Sequence, residues 1–315
     1  MLNDPHGRAA GIMGAVRGAD ASDGWEQMAT VGVPPGMAFV RDVPYGEADG
    51  EPLLLDLLAP DPLPSSALPA VVWIHGGGWE SGDKHVDLAD SLGPALVRDG
   101  FVSLSINYRL SDRARFPAQL HDAKAAIRWL RSNAGNLGID PRRIGAWGHS
   151  AGGHLAALLG TTGDLADLEG DSGSPGYSSR VQAVVAVSPP TDFLAMPPGW
   201  PHAEPRRATS KLVGGPLEER PDLVRLANPI AHIRSGTPPF LIVHGEDDEV
   251  VPVQQAELLY EALAAAGNEA TFLRLPRTDH ALASPARNIT ARDAWTEVGQ
   301  RALGFFRAHL HAPER

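Results

Sequence analysis

Short, nearly continuous apolar runs alternate with segments of helical period from Met37 onward, and this alternation constrains the fold more tightly than any single motif. Ala70-Val71-Val72-Trp73-Ile74, Phe101-Val102-Ser103-Leu104-Ser105-Ile106, Val181–Val187 and Phe240–Val243 contain few polar residues. A strand with one wet face alternates polar and apolar positions, whereas a run that is apolar throughout suits a strand covered on both faces. Strands at Met37–Val43 and Leu53–Leu58 open the series, Arg143–Trp147 lies in its middle, and Thr271–Leu275 closes it. Phe116 to Ser132 brings Leu120, Ala123, Ile127 and Leu130 to one helical face, and Gln254–Ala265 and Ala291–Leu310 are amphipathic in the same way. Strand–helix–strand units cross over with a right hand. The expected architecture is therefore an α/β fold, a mostly parallel, doubly wound sheet with helices on both faces and its loops gathered at the carboxyl ends of the strands.

At 315 residues and 43% hydrophobic composition, the chain can fill a single α/β core. Residues 1–36 are rich in Gly, Ala and Asp and end near Pro34-Pro35, so they are expected to form a loosely ordered arm before one domain over 37–315. The stretch 191–236 breaks the alternation. It is long and proline-rich, includes Pro197-Pro198-Gly199-Trp200-Pro201 and a short helical segment at Asp222–Ala227, and is expected as an irregular, lid-like insertion.

The sequence most informative about chemistry is Gly148-His149-Ser150-Ala151-Gly152-Gly153, between the strand-like Arg143–Trp147 and the helix-like His154–Leu159. In that context G-x-S-x-G reads as a nucleophile elbow, in which a sharp strand-to-helix turn exposes the serine and the flanking glycines avoid a clash. Ser150 would then sit at the positive end of a helix, where developing negative charge is favoured. The plainer alternative is a serine that merely caps the helix.

A serine nucleophile needs a base, an acid that orients the base, and donors for the oxyanion. The strand Phe240–Val243 runs into His244-Gly245 and four consecutive acidic residues, Glu246 to Glu249. One carboxylate should face inward, and Asp248 is preferred with Asp247 as the alternative. Only His280, His309 and His311 follow it, and the last two lie near the C-terminus. His280 falls in the loop after Thr271–Leu275, where a base is expected. His75-Gly76-Gly77-Gly78-Trp79 directly follows the strand Ala70–Ile74, so its glycine N–H groups can converge on one point, and Ala151 adds the N–H that follows the serine. The loop is not followed by G-x-G-x-x-G or a P-loop pattern, which argues against a phosphate cradle. His75 and His244 are expected to bond loop backbone.

Composition narrows the partners. The chain has no cysteine, which excludes disulfides, thiolate metal sites and a cysteine nucleophile. Its formal charge of −11, without a basic stripe, argues against nucleic acid and anionic membrane surfaces. Among 12 histidines there is no H-E-x-x-H, and His149 and His154 are spaced wrongly to share a helix face, so no metal or other cofactor is expected. No secretory signal or membrane-spanning run is visible, and a cytoplasmic location is expected. The sequence is compatible with a monomer or an oligomer.

Taken together, these motifs resemble α/β-hydrolase-fold esterases, and more narrowly the bifunctional acetylxylan/feruloyl esterase-like group, next to hormone-sensitive-lipase-like esterases and kynurenine formamidases. The resemblance spans roughly residues 38 to 310. It rests on His75–Trp79 with Gly82-Asp83-Lys84, Ile106-Asn107-Tyr108-Arg109-Leu110, Phe116-Pro117-Ala118-Gln119, Ile127-Arg128-Trp129-Leu130-Arg131, Gly148–Gly153 with His154-Leu155-Ala156, and Ser188-Pro189-Pro190-Thr191-Asp192-Phe193. It implies an eight-stranded type of sheet, Ser150 as nucleophile, Asp248 as acid and His280 as base. Gly77, Gly78 and Ala151 would be the oxyanion donors, with His75 and Gly76 shaping that loop. Many relatives have glycine where this chain has Asp279, and residues 1–36 do not match the helical cap of the lipase-like branch. The expected activity is hydrolysis of small acyl esters through an acyl-enzyme. An arylformamidase or other amidase on the same fold, and a non-catalytic small-molecule receptor, are the alternatives. Trp79, His149 and Trp200 are the expected pocket walls.

Overall fold

The computed structural model describes residues 34–85, 92–163, 165–196 and 204–311. The arm over residues 1–36 therefore lies almost wholly outside the described residues, as does Trp200. Eight strands form one sheet in the order β1-β2-β4-β3-β5-β6-β7-β8. They are β1 Met37–Ala48, β2 Glu51–Pro60, β3 Leu68–Ile74, β4 Val102–Ile106, β5 Ile139–His149, β6 Ala183–Val187, β7 Phe240–Gly245 and β8 Ala270–Leu275. β1 and β2 form an antiparallel hairpin and β2 also runs antiparallel to β4, while β4, β3 and β5 to β8 are mutually parallel.

Strands β4 and β6 are buried at every position, as their continuous apolar sequences require, because helices cover the sheet on both sides. One face is covered by α2 (Ala118–Ser132) and α3 (Ala151–Thr162) and shares a core with Leu55, Leu57, Val72, Ile74, Leu120, Ile127 and Leu155. The other is covered by α1 (Leu92–Arg98) and the long C-terminal helix α7 (Ala291–Leu310), whose Val298, Ala302, Phe306 and Leu310 recur every four residues and are all fully buried. Trp73 and Trp147 meet edge to face beneath α7 with ring centroids 5.4 Å apart.

The register brings the chemistry to one rim. Ile74 pairs with Gly148, Gly148 with Ala186, Val187 with Val243, and Gly245 with Leu275. The carboxyl ends of β3, β5, β6, β7 and β8 are thus level. The loops that leave them carry His75–Trp79, Ser150, Phe193, Asp248 and His280 respectively.

The insertion is more regular than expected. It contains α4 (Glu204–Val213) and α5 (Pro221–Ala227), with α6 (Gln254–Ala265) following after β7. The α5 segment lies within one residue of the expected helix, but α4 was not expected. Its apolar stripe is only Ala208, Leu212 and Val213, set among charged and hydroxyl residues, too narrow to stand out as a helical period. Those three residues are buried against the domain, so tertiary packing makes the helix.

Candidate active site

The elbow is built from backbone strain that the neighbouring strands hold in place. β5 ends at His149, Ser150 has φ 56° and ψ −122°, and α3 starts at Ala151. A side chain at positive φ is costly unless the surroundings fix it. Here the Ser150 N–H donates to the Val187 carbonyl at 2.8 Å, and the Ser150 carbonyl accepts from His154 N–H at 3.0 Å. The glycines are steric requirements: a Cβ on Gly152 would lie 2.0 Å from the Ile74 carbonyl oxygen, and one on Gly148 would lie 2.3 Å from the Gly152 backbone. The Ser150 hydroxyl makes no capping bond to the helix, which removes the plainer reading of a capping serine. Its Oγ lies 3.0 Å from His280 Nε2 instead.

His280 Nδ1 lies 2.7 Å from Asp248 Oδ2, so its N–H donates to the carboxylate and the lone pair stays on Nε2, facing the serine. Asp248 Oδ1 accepts the Val250 and Val251 N–H groups at 2.9 and 2.8 Å. His244 adds a further donor, with Nε2 at 2.9 Å from the Val251 carbonyl and 3.1 Å from Asp248 Oδ2. Burial alone would raise the Asp248 pKa, but the hydrogen bonds from His244 and His280 outweigh it and hold the carboxyl well below the usual range. Asp247, the alternative, is exposed, and the carboxylate that meets His280 Nδ1 is that of Asp248. The bond to the Val251 carbonyl is the loop-backbone contact expected of His244, whereas its contact with the carboxylate was not legible in the sequence.

The loop after β3 approaches the same point. Gly77 and Gly78 have φ of 101° and 60°, and a Cβ on Gly77 would collide with the Ser81 carbonyl at 2.2 Å. Among the described residues, the N–H groups of Gly77, Gly78 and Ala151 have no backbone acceptor. They line the cavity that holds Ser150 and His280. His75 Nδ1 lies 2.8 Å from the Gly76 carbonyl and its ring stacks on Tyr108 at 4.3 Å, while the Tyr108 hydroxyl donates to the His75 carbonyl at 3.1 Å. Burial pushes the His75 pKa down, which keeps it neutral in this role. Farther along the loop, buried Lys84 pairs with Asp42 and Asp56 at 2.6 and 3.0 Å, and its N–H donates to Asn107 Oδ1 at 2.7 Å. This charge cluster, which sequence reading missed, satisfies the acid that interrupts the Leu-rich run of β2.

The cavity has a volume of about 350 Å³. Besides the residues above, Trp79 and His149 line it, and the insertion contributes Met196, Arg207 and Ala208. Arg207 and Lys211 of α4 pair with Glu80 of the glycine loop at 2.8 and 3.4 Å. His149 is more than a wall. Its Nε2 lies 2.9 Å from the His280 carbonyl and its ring meets Trp295 edge-on at 5.3 Å, so it supports the loop that carries His280. Burial and the neighbouring His280 lower its pKa to about 3. No group of three or more metal-binding side chains converges among the described residues, and no helix there is long and apolar enough to cross a membrane.

Comparison with known proteins identifies the family. Residues 55–263 match the family described as BD-FAE. Esterase LipQ of Mycobacterium tuberculosis is 33% identical over 82% of this chain and 61% of its own length. Esterase LipC of the same organism is 32% identical over 76% of this chain and 59% of its own. The chain thus spans about three fifths of these curated relatives. Among solved structures, a truncated carbohydrate esterase from gut microbiota superposes with a TM-score of 0.76 at 31% identity, over 88% of this chain and 99% of that one. Esterase 2 of Thermogutta terrifontis, solved with propionate, gives 0.70 at 28% identity over 89% and 97%. The same enzyme has also been solved phosphorylated by paraoxon, with a TM-score of 0.70.

Proposed function

The chain belongs to the BD-FAE family and has the α/β-hydrolase fold, and from that premise we propose that it is a serine hydrolase of small carboxylic esters. The observation that carries the reading is the unbroken hydrogen-bonded chain Ser150 Oγ–His280 Nε2, His280 Nδ1–Asp248, opening on a cavity lined by Gly77, Gly78 and Ala151.

In this reading Ser150 Oγ attacks the ester carbonyl and His280 Nε2 takes its proton. Asp248 fixes the tautomer that makes this transfer available and stabilises the imidazolium that results. The tetrahedral oxyanion accepts from the N–H groups of Gly77, Gly78 and Ala151, each such preorganised donor contributing about 3–4 kcal/mol to the transition state. His280 then gives the proton to the departing alcohol, leaving an acyl-enzyme on Ser150. A water molecule deprotonated by His280 releases the acid and restores the serine. No step calls for a metal or organic cofactor.

The preference for a small acyl group is supported by the modest cavity around Ser150, of about 350 Å³. It is also supported by the propionate and butyrate complexes of the Thermogutta esterase. Turnover of chromogenic esters from acetyl to dodecanoyl tests the proposal. Activity should be greatest for the shortest chains and lost in Ser150→Ala. Turnover rising toward dodecanoyl would overturn the small-acyl assignment, and turnover retained in Ser150→Ala would overturn the mechanism.

A further inference from the structure

His154 takes no part in the chain Ser150–His280–Asp248, yet it is fully buried and both its ring nitrogens are engaged. It lies in the first turn of α3. The Trp79 indole Nε1 is 3.2 Å from His154 Nδ1, and His154 Nε2 is 2.7 Å from the carbonyl oxygen of Ala227, the last residue of α5. An indole N–H can only donate, so Nδ1 must bear the lone pair and Nε2 the proton. The carbonyl of Ala227 can only accept, which demands the same tautomer. The Phe193 ring closes the site at 5.2 Å. One histidine thus joins the nucleophile helix, the glycine loop and the end of the insertion.

Trp79 is the element that needs holding. It directly follows Gly78 and has φ 59°, a conformation that a bulky residue adopts only when its surroundings impose it. Its carbonyl accepts from Ser111 N–H at 2.8 Å and its indole donates to His154. The indole bond to His154 helps to hold this costly backbone conformation, which directly adjoins the Gly77 and Gly78 N–H groups.

We propose that His154 is a positioning residue for the oxyanion loop: Nδ1 holds the Trp79 indole, and through it the aim of the Gly77 and Gly78 N–H groups, while Nε2 anchors the end of the insertion. The proposal rests on the reading of these glycines as oxyanion donors. Its two arms are separable. Asparagine places an acceptor where Nδ1 was, and glutamine places a donor where Nε2 was. His154→Asn therefore keeps the Trp79 contact and loses Ala227, and His154→Gln does the reverse.

The experiment is steady-state kinetics of both variants on a chromogenic acetyl ester, with the thermal midpoint of each. His154→Gln should lower kcat by about tenfold or more at nearly constant KM, the scale of one transition-state hydrogen bond that is less well aimed, and His154→Asn by no more than about threefold. Both should lose similar thermal stability. Trp79→Phe, which keeps the ring and deletes the indole N–H, should match His154→Gln, and combining the two should add little. Equal losses of kcat in the Asn and Gln variants, or losses that follow the thermal midpoints, would overturn the positioning role. Should neither histidine variant fold, Trp79→Phe decides alone, and an unaltered kcat there would overturn the proposal. A wild-type chain inert to esters and to paraoxon would instead remove the esterase reading itself, a result distinct from an active enzyme indifferent to these changes.

Discussion

Asp248 collects donors from two histidine rings and two backbone N–H groups, and that concentration sets what it can do. It remains ionised far into acid, so the imidazole it orients always presents a lone pair to Ser150 while His280 is neutral. Asp248→Asn replaces the acceptor facing His280 Nδ1 with an amide that can turn its NH₂ toward the ring, favouring the wrong tautomer. Its kcat on an acetyl ester should fall by about 10³–10⁴, with the fold intact by circular dichroism. A loss below tenfold would mean that Asp248 does not orient the base. At this scale the sequence singled out Ser150, Asp248 and His280 through chain order and position after buried strands, and the fold brings the three within hydrogen-bond distance. It did not disclose the contact of His244 with Asp248, the part played by His154 or the second task of His149. Their partners are Asp248 and the carbonyls of Ala227 and His280, and only the folded chain places these side by side.

The strands and helices act as supports whose spacing tolerates no extra atoms at the elbow. Gly152 packs its α-carbon against the end of β3, where an added methyl would meet the Ile74 carbonyl oxygen at 2.0 Å. Gly152→Ala should lower the unfolding free energy by at least about 3 kcal/mol, the upper range for overpacking, seen as a shift of the urea midpoint at constant slope. The contact between α4 and the glycine loop is of another kind. Arg207 is 56% and Lys211 29% exposed in their pairs with Glu80, so Glu80→Gln should change global stability by less than about 1 kcal/mol. An effect of several kcal/mol on the same urea curve would show that these pairs hold the domain together. The strands were legible because buried β-sequences are apolar at every position. Helix α4 was not, because its apolar stripe is three residues wide and finds its partner only in the tertiary fold.

Across the whole molecule, buried neutral histidines make stability depend on pH. Burial lowers His154 to about 4, and burial with the adjacent His280 lowers His149 to about 3. In the unfolded chain both bind protons near the ordinary histidine value of about 6.5. Between these limits the unfolded state holds more protons, so stability is fully present above about 6.5 and is lost as pH falls. The slope approaches about 1.4 kcal/mol per pH unit for each histidine. Asp248, also depressed, adds to the loss below the ordinary carboxylate range. Urea unfolding at pH 7 and pH 5 should therefore give a markedly lower free energy at the lower pH, and His154→Asn should flatten the difference. A pH-independent midpoint would mean that these rings are not buried as neutral species. The parallel sheet and its functional rim were foreseeable at this scale, because alternating buried strands and helices leave few alternatives. The opening strands were expected over Met37–Val43 and Leu53–Leu58, and the β1–β2 hairpin they form runs longer, over Met37–Ala48 and Glu51–Pro60.

Covalent acylation of Ser150 is the step on which the proposed mechanism turns, and mass spectrometry after exposure to paraoxon reads it. One diethylphosphoryl adduct should map to the peptide that contains Ser150, with loss of ester turnover in proportion to labelling, and no adduct should form in Ser150→Ala. An unlabelled Ser150 in a protein that still hydrolyses esters, or full turnover after Ser150 is labelled, would contradict it.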